Sequence, residues 1–394
     1  MKRSVDLVYF NAGGGHRASA LALEAAIHQS GLPWTVRLVN LREVLDPKDG
    51  FRRLTGMDPE DVYNKRLARG WTAGLAQELK LLQRLIRWGH APLVRRLQQH
   101  WLASEPDMVV SLIPNFNRAL YQALASSLPG VPYVTVLTDL ADHPPHFWVE
   151  RGQPQHFICG SERAVQQARA AGHAQARIHA SSGMIIRSDF YRPQPADRAG
   201  ERQRLGLPAE GPVGLVLFGG QGSASMLGIA KRLPDQPLIL ACGHNQKLAQ
   251  ALRQLPSRAP RLVLGFTPDV ARYMHLADFF IGKPGPGSLS EAVHMQLPVI
   301  VVRNRYTLPQ ERYNTDWVRE QGVGIVLPSF AQVDTAVARL VGDLALYRAA
   351  TQRIRNRAAF ELPLVLQGIL ARSEASGKKL PWQPAPQPAF NPGG

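Results

Sequence analysis

The sequence predicts two Rossmann-like, doubly wound α/β domains facing one cleft, and three observations carry that expectation. Glycine loops close apolar, strand-like runs at two distant points: Gly13-Gly14-Gly15 follows Val5–Phe10, and Gly219-Gly220 follows Val213–Leu217. Strand-like and helix-like segments then alternate after each loop, as they do in parallel sheets wound with helices. The chain has 394 residues, 45% of them hydrophobic, which is enough to bury two ordinary cores. Ligands of such sheets collect beyond the carboxyl ends of the strands, so both sets of loops point at a shared cleft.

In chain order, the first domain is expected over residues 1–180, with strands at Val5–Phe10, Thr35–Asn40, Met108–Leu112, Tyr133–Leu137 and His156–Cys159. Residues 181–195 read as a linker. The second domain, 196–360, has strand-like runs at Val213–Phe218, Leu238–Ala241, Arg261–Leu264, Phe279–Ile281 and Val299–Val302, alternating with helices. The Pro-rich tail 376–394 has the composition of a disordered segment.

The most informative loop is Gly282-Lys283-Pro284-Gly285-Pro286-Gly287-Ser288, between an apolar run and a helix-like segment. Such a loop presents bare backbone N–H groups and a helix N-terminus at one point, where phosphate oxygens are well held. Glu291, one turn on, offers a carboxylate that can accept bonds from two neighbouring ribose hydroxyls. A plain strand-to-helix turn uses the same Gly and Pro residues, so this segment alone does not decide the matter. The N-terminal loop adds Gly14, Gly15 and His16, and a fourth turn runs Thr138-Asp139-Leu140-Ala141-Asp142-His143-Pro144. None of these has the Gly-x-Gly-x-x-Gly spacing of a dinucleotide fingerprint or the Gly-Lys-Ser/Thr ending of a P-loop.

Charge and composition narrow the partners. Lys and Arg outnumber Asp and Glu 46 to 30, a formal charge of +16 that favours anionic lipid headgroups, nucleotide phosphates or nucleic acid. Cys159 and Cys242 are the two cysteines, too few for a disulfide framework and consistent with a reducing compartment. Neither a signal peptide nor an apolar run of membrane-spanning length is visible. Between Trp71 and Trp101, Leu75, Leu79, Leu82, Ile86 and Leu93 share one helical face, whereas Lys80, Arg84 and Arg87 recur on another beside Leu81 and Trp88. A basic amphipathic helix flanked by Trp is the pattern of a membrane-surface element, although ordinary domain helices also carry solvated charged faces. The 12 His residues form no paired ligand motif, so no metal site is expected.

Five motifs together carry a resemblance. They are Gly13-Gly14-Gly15-His16-Arg17-Ala18-Ser19; Thr138-Asp139-Leu140 with His143-Pro144 and Trp148; Gly183 to Phe190; Gly285-Pro286-Gly287-Ser288 with Ser290-Glu291-Ala292; and Pro309-Gln310-Glu311-Arg312-Tyr313-Asn314. In this order, from Val5 to about Ala371, the chain resembles the monogalactosyl- and glucosyl-diacylglycerol synthases, lipid glycosyltransferases of family 28 related to the peptidoglycan-precursor N-acetylglucosaminyltransferase.

The resemblance implies the GT-B fold and transfer of a hexose from a UDP-sugar to diacylglycerol or a similar membrane lipid. It also implies a last helix, 361–375, that crosses back onto the first domain. No cofactor is implied beyond the donor, and no nucleic acid partner. His16 becomes the first candidate for the base, or for a donor that orients the acceptor or diphosphate, and Asp139 is the rival base, otherwise orienting His16 or holding its own loop. Gly219, Gly220, Gly287 and Ser288 would hold the diphosphate, Glu291 the ribose, and the backbone near Phe266 the uracil. Gln310 and Glu311 would meet the sugar hydroxyls, with Asn314 nearby, and Lys283 would add charge at the diphosphate or face solvent. The expected location is the cytoplasmic face of a membrane, peripherally attached to the anionic surface. Two other readings remain open here: a soluble enzyme of the same fold, acting on a small acceptor or as an epimerase, and a non-catalytic binder of anionic surfaces.

Overall fold

The computed structural model describes residues 3–11, 15–46, 83, 84, 86 and 88–375. Two six-stranded sheets organise them, and every strand pair is parallel. The first sheet has the order β2-β1-β3-β4-β5-β6, from β1 Arg3–Tyr9, β2 Trp34–Asn40, β3 Met108–Ser111, β4 Tyr133–Val136, β5 His156–Cys159 and β6 Ile178–Ala180. The second has the order β12-β11-β10-β7-β8-β9, from β7 Gly214–Leu217, β8 Leu238–Ala241, β9 Arg261–Leu264, β10 Phe279–Gly282, β11 Val299–Val302 and β12 Gly324–Leu327.

Strands β3, β4, β7, β8, β10 and β11 are buried along their whole length. Helices cover both faces of each sheet, and that is why these strands read as unbroken apolar runs instead of alternating ones. On one face of the first sheet, Leu23 and Ile27 of the Gly15–Gln29 helix pack with Val5, Leu7 and Val110. The other face packs Leu97 and Trp101 of the His90–Ser104 helix with Val8 and Val109. Two edge strands, β6 and β12, have no counterpart in the sequence reading.

The Ala358–Ala375 helix leaves the second sheet and joins the first, where Leu362, Leu366, Ile369 and Leu370 enter the same core as Leu23. The chain therefore crosses between the sheets twice, and the two crossings are bonded to each other. Asn356 Nδ2 donates to Met184 O at 2.8 Å, and Ser182 N donates to Glu361 Oε2 at 2.8 Å. In the first crossing Ile185 packs into the first core while Ile186 and Phe190 pack into the second.

In each sheet the winding direction reverses between two neighbouring strands, β1 and β3 in one, β7 and β10 in the other. A crevice opens beyond the strand ends at such a reversal. Loops leaving β1, β7 and β10 are the glycine loops of the sequence.

Several expected features lie outside the described residues: Gly13 and Gly14, the docking-helix positions Trp71, Leu75, Leu79, Lys80, Leu81, Leu82 and Arg87, and the tail 376–394. At the described end of that segment, Leu93 packs beside buried Leu97 and Trp101, while Trp88 is 90% exposed. No helix among the described residues is long and apolar enough to cross a membrane.

Candidate active site

A cavity of about 480 Å³ lies between the carboxyl ends of the two sheets. Gly15, His16, Thr138 and Asp139 line it from the first domain, and Met184 and Arg187 from the linker. From the second domain come Gly219, Gly220 and Phe266, then Gly287, Ser288 and Glu291, then Gln310 and Glu311, with Lys283 among them. The structure thus brings together the expected site residues, apart from Gly14, which lies outside the described residues.

The first-domain wall is built on the loop after β4. His16, the second residue of the Gly15–Gln29 helix, has Nδ1 3.2 Å from Thr138 Oγ1. Burial lowers its imidazole to about 4, partly opposed by a hydrogen bond to the Leu112 backbone, so the ring is neutral at neutral pH. Asp139 is also buried, and its Oδ2 accepts a bond from Trp148 Nε1 at 2.9 Å. Burial pushes this carboxyl up to about 7; the Trp148 bond and Lys283 oppose the rise, and the charges of Glu311 and Asp142 add to it. The indole of Trp148 meets the His16 ring edge to face, with centroids 6.0 Å apart, so one side chain contacts both candidates.

Two of these roles were not legible in the sequence. Asp139 accepts its bond from Trp148, while Asp142 ties the loop by accepting from the backbone N–H groups of His146 at 3.0 Å and Trp148 at 2.6 Å. A short loop rich in Asp, His and Pro signals such backbone capping only generically.

In the second domain, the loop after β7 turns at Gly219, whose φ of +76° is the left-handed conformation that glycine adopts without strain. Pro286 occupies the first turn of the Pro286–His294 helix, where its missing N–H costs nothing. Lys283 Nζ donates to Glu311 Oε1 at 3.0 Å, so the loop lysine sits on the cavity wall beside that carboxylate. Asn314, expected near the sugar, is fully buried behind the loop and donates from Nδ2 to Pro284 O at 2.7 Å; its amide shapes the loop. Phe266 is 59% exposed and stacks on His244, with centroids 4.1 Å apart and planes at 14°.

Glu291 points into the cavity and meets Arg187, whose Nε lies 3.5 Å from Glu291 Oε1. Burial raises the Glu291 carboxyl to about 7, and the Arg187 guanidinium pulls it the other way. Neither Arg187 nor His244 was picked out as a site residue; both reach the cavity region only through the folding of loops distant in sequence.

One wall therefore offers glycine N–H groups, a helix N-terminus, a lysine and a carboxylate, which suits a sugar nucleotide. The facing wall offers two protonatable groups held in place by Thr138 and Trp148. No three His, Cys, Asp or Glu side chains gather as a metal site among the described residues.

Residues 215–359 match the glycosyltransferase family 28 C-terminal domain. A probable chloroplastic monogalactosyldiacylglycerol synthase of Glycine max is 28% identical over 86% of this chain and 65% of its own length. Monogalactosyldiacylglycerol synthase 1 of Arabidopsis thaliana is 27% identical over 86% of this chain and 64% of its own. The chain thus spans just under two thirds of the length of these relatives. Among solved structures, MurG of Acinetobacter baumannii superposes with a TM-score of 0.56 at 17% identity, over 93% of this chain and 99% of that one. The calicheamicin glycosyltransferase CalG4 superposes with a TM-score of 0.61 at 15% identity, over 94% and 99%. The chain therefore has the GT-B fold, and its second domain matches the glycosyltransferase family 28 C-terminal domain.

Proposed function

We propose that the protein transfers a hexose from a UDP-sugar, held by the second domain, to the free hydroxyl of diacylglycerol or a similar membrane lipid met at the first domain. The observation that carries this reading is one cavity with the glycine loops and Glu291 on one wall and His16 and Asp139 on the other. The relatives' names point to a galactolipid product, and assays with UDP-glucose, UDP-galactose and UDP-N-acetylglucosamine discriminate the donors.

In this reading Gly219, Gly220 and Ser288 hold the diphosphate, Glu291 holds the ribose diol, and the chain near Phe266 holds the uracil. Gln310 and Glu311 engage the sugar. As the bond from the anomeric carbon to the diphosphate breaks, negative charge grows on the leaving phosphate, where helix N-terminal N–H groups and Lys283 stabilise it. The acceptor proton must leave as the new bond forms. A base works best when its pKa lies near the operating pH. On that ground Asp139, at about 7, suits the proton better than His16, at about 4. His16, ranked first from the sequence, then serves to orient the acceptor hydroxyl.

Membrane contact falls to the first domain, through the segment that carries Arg84 and Trp88, both exposed. Attachment is peripheral and the proposed compartment is the cytoplasm. Incubating the protein with labelled UDP-sugars, with and without diacylglycerol in vesicles, tests the whole reading. Lipid-linked hexose should form only with diacylglycerol. Transfer to a small acceptor alone, or epimerised sugar without transfer, would replace this reading with the soluble-enzyme one.

A further inference from the structure

Arg187 has three anchors and belongs to neither sheet. It precedes the short turn Ser188–Tyr191 on the linker. The buried neighbours fix its direction: Ile185 is committed to the first core and Ile186 to the second, so Arg187 is left to face the cavity. Its Nη1 donates to Pro268 O at 3.0 Å, in the loop that follows Phe266, and its guanidinium lies 5.1 Å from the Phe190 ring centroid. Its Nε lies 3.5 Å from Glu291 Oε1. A guanidinium restrained on these sides acts as a fixed post for the carboxylate, and a carboxylate has a second oxygen to offer.

We propose that Arg187 is a positioning residue of the donor site, holding Glu291 by Oε1 so that its remaining lone pairs meet the ribose diol. This rests on the reading of Glu291 as the ribose ligand and deepens it, because it makes the nucleoside site depend on a linker residue. A bare glutamate in a mostly apolar cavity loses orientation and charge; next to Arg187 it keeps both. The role is distinct from direct contact with the diphosphate, since Nη1 and Nε already face Pro268 O and Glu291.

The pH response follows from the same contact. Glu291 must be ionised to accept two hydroxyl bonds, so nucleoside affinity falls as pH drops through about 7, where burial has raised its carboxyl. Arg187 pulls against that rise, so removing its charge moves the fall in affinity to higher pH.

The test measures UDP binding by calorimetry and uridine binding by ligand-observed NMR titration, for the wild type, Arg187→Gln, Arg187→Lys, Glu291→Gln and the Arg187→Gln/Glu291→Gln pair. Arg187→Gln should weaken UDP and uridine alike, each by about 10-fold, the order expected for a charge-assisted contact. The paired variant should bind no more weakly than Glu291→Gln alone, and Arg187→Lys should recover part of the loss. UDP weakened with uridine unchanged would overturn the proposal and make Arg187 a phosphate ligand. Additive losses in the paired variant would overturn it as well, since Arg187 would then act independently of Glu291. Wild-type chain that binds neither ligand would instead remove the donor reading on which the proposal stands, and circular dichroism of each variant separates these outcomes from unfolding.

Discussion

Burial moves the two candidate bases in opposite directions, which makes pH the variable that separates them. Asp139 is raised to about 7 and His16 is lowered to about 4. If Asp139 takes the acceptor proton, turnover rises with pH through about 7; a rise centred near 4 with a plateau above it would assign the proton to His16. Asp139→Asn should lose turnover by roughly 10²-fold or more, as removal of a general base does. The same substitution should stabilise the fold. A buried carboxyl with a raised pKa contributes stability below its unfolded value of 3.8 and loses it as pH climbs to about 7, so above neutrality the ionised group strains the native state. Asn keeps an oxygen to accept the Trp148 bond and carries no charge. Asp139→Asn should therefore be more stable than the wild type by about 1–3 kcal/mol at pH 8, with the difference vanishing in denaturant melts below pH 4. A difference independent of pH would mean that the charge of Asp139 is not what the fold resists. Asp139 itself was legible in the sequence because a short polar loop between apolar segments draws the eye. Its partner Trp148 belongs to the same motif, yet a bond across nine positions of irregular chain leaves no periodic trace.

Loops and strands show why some elements can be read from sequence and others cannot. Fully buried parallel strands such as β7 and β10 are unbroken apolar runs, and their lengths were read to within a residue or two. Edge strands depend on a neighbour more than on their own pattern. β6 is three residues, Ile178–Ala180, with one of them buried, and β12 is mostly half-buried, so neither stands out from a loop. Glycines behave similarly. Gly219 and Gly220 were legible as a pair after a strand, but Gly243, an isolated glycine after β8, was not. In the fold its φ is +59°, and an added Cβ would lie 2.1 Å from the backbone oxygen of Gly220. His244 N also donates to Gly220 O at 2.8 Å, so the β8 loop braces the β7 glycine loop from behind. Gly243→Ala must push the Gly219–Gly220 loop out of place. We expect it to weaken UDP binding by about 10-fold or more and to cost about 1–3 kcal/mol of stability, from a strained φ and a backbone clash. Gly228 is the control: it lies on the exposed face of the Ser225–Arg232 helix with open space around it. Gly228→Ala should raise stability by about 0.5–1 kcal/mol and leave UDP binding unchanged. Equal effects from the two substitutions would show that loop bracing does not matter to the donor site.

The whole chain carries an excess of 46 basic over 30 acidic residues, and the domain architecture decides where that charge can act. The donor pocket uses little of it, because Lys283 faces Glu311 and Arg187 faces Glu291. Three arginines of the second domain are likewise committed, Arg198, Arg202 and Arg348 all converging on the buried Asp278. Basic residues near the first domain's exposed Trp88 have a different task open to them: at roughly 1 kcal/mol per Lys or Arg near an anionic surface, a handful gives reversible docking. An exposed indole adds an apolar body that enters the headgroup layer while its N–H stays hydrated. The protein should accordingly bind phosphatidylglycerol-rich vesicles and not neutral ones, and added salt should weaken the binding by screening. Replacing Lys80, Arg84 and Arg87 together by Gln should reduce vesicle sedimentation and turnover on membrane-held diacylglycerol. Affinity for free UDP should be spared, since the donor wall lies in the other domain. Trp88→Ala should remove the blue shift of tryptophan emission that accompanies vesicle binding. Sedimentation and emission unchanged by these substitutions would place the membrane contact elsewhere on the first domain, and loss of UDP affinity in the triple variant would mean that the two domains do not divide donor and acceptor as the cavity walls suggest.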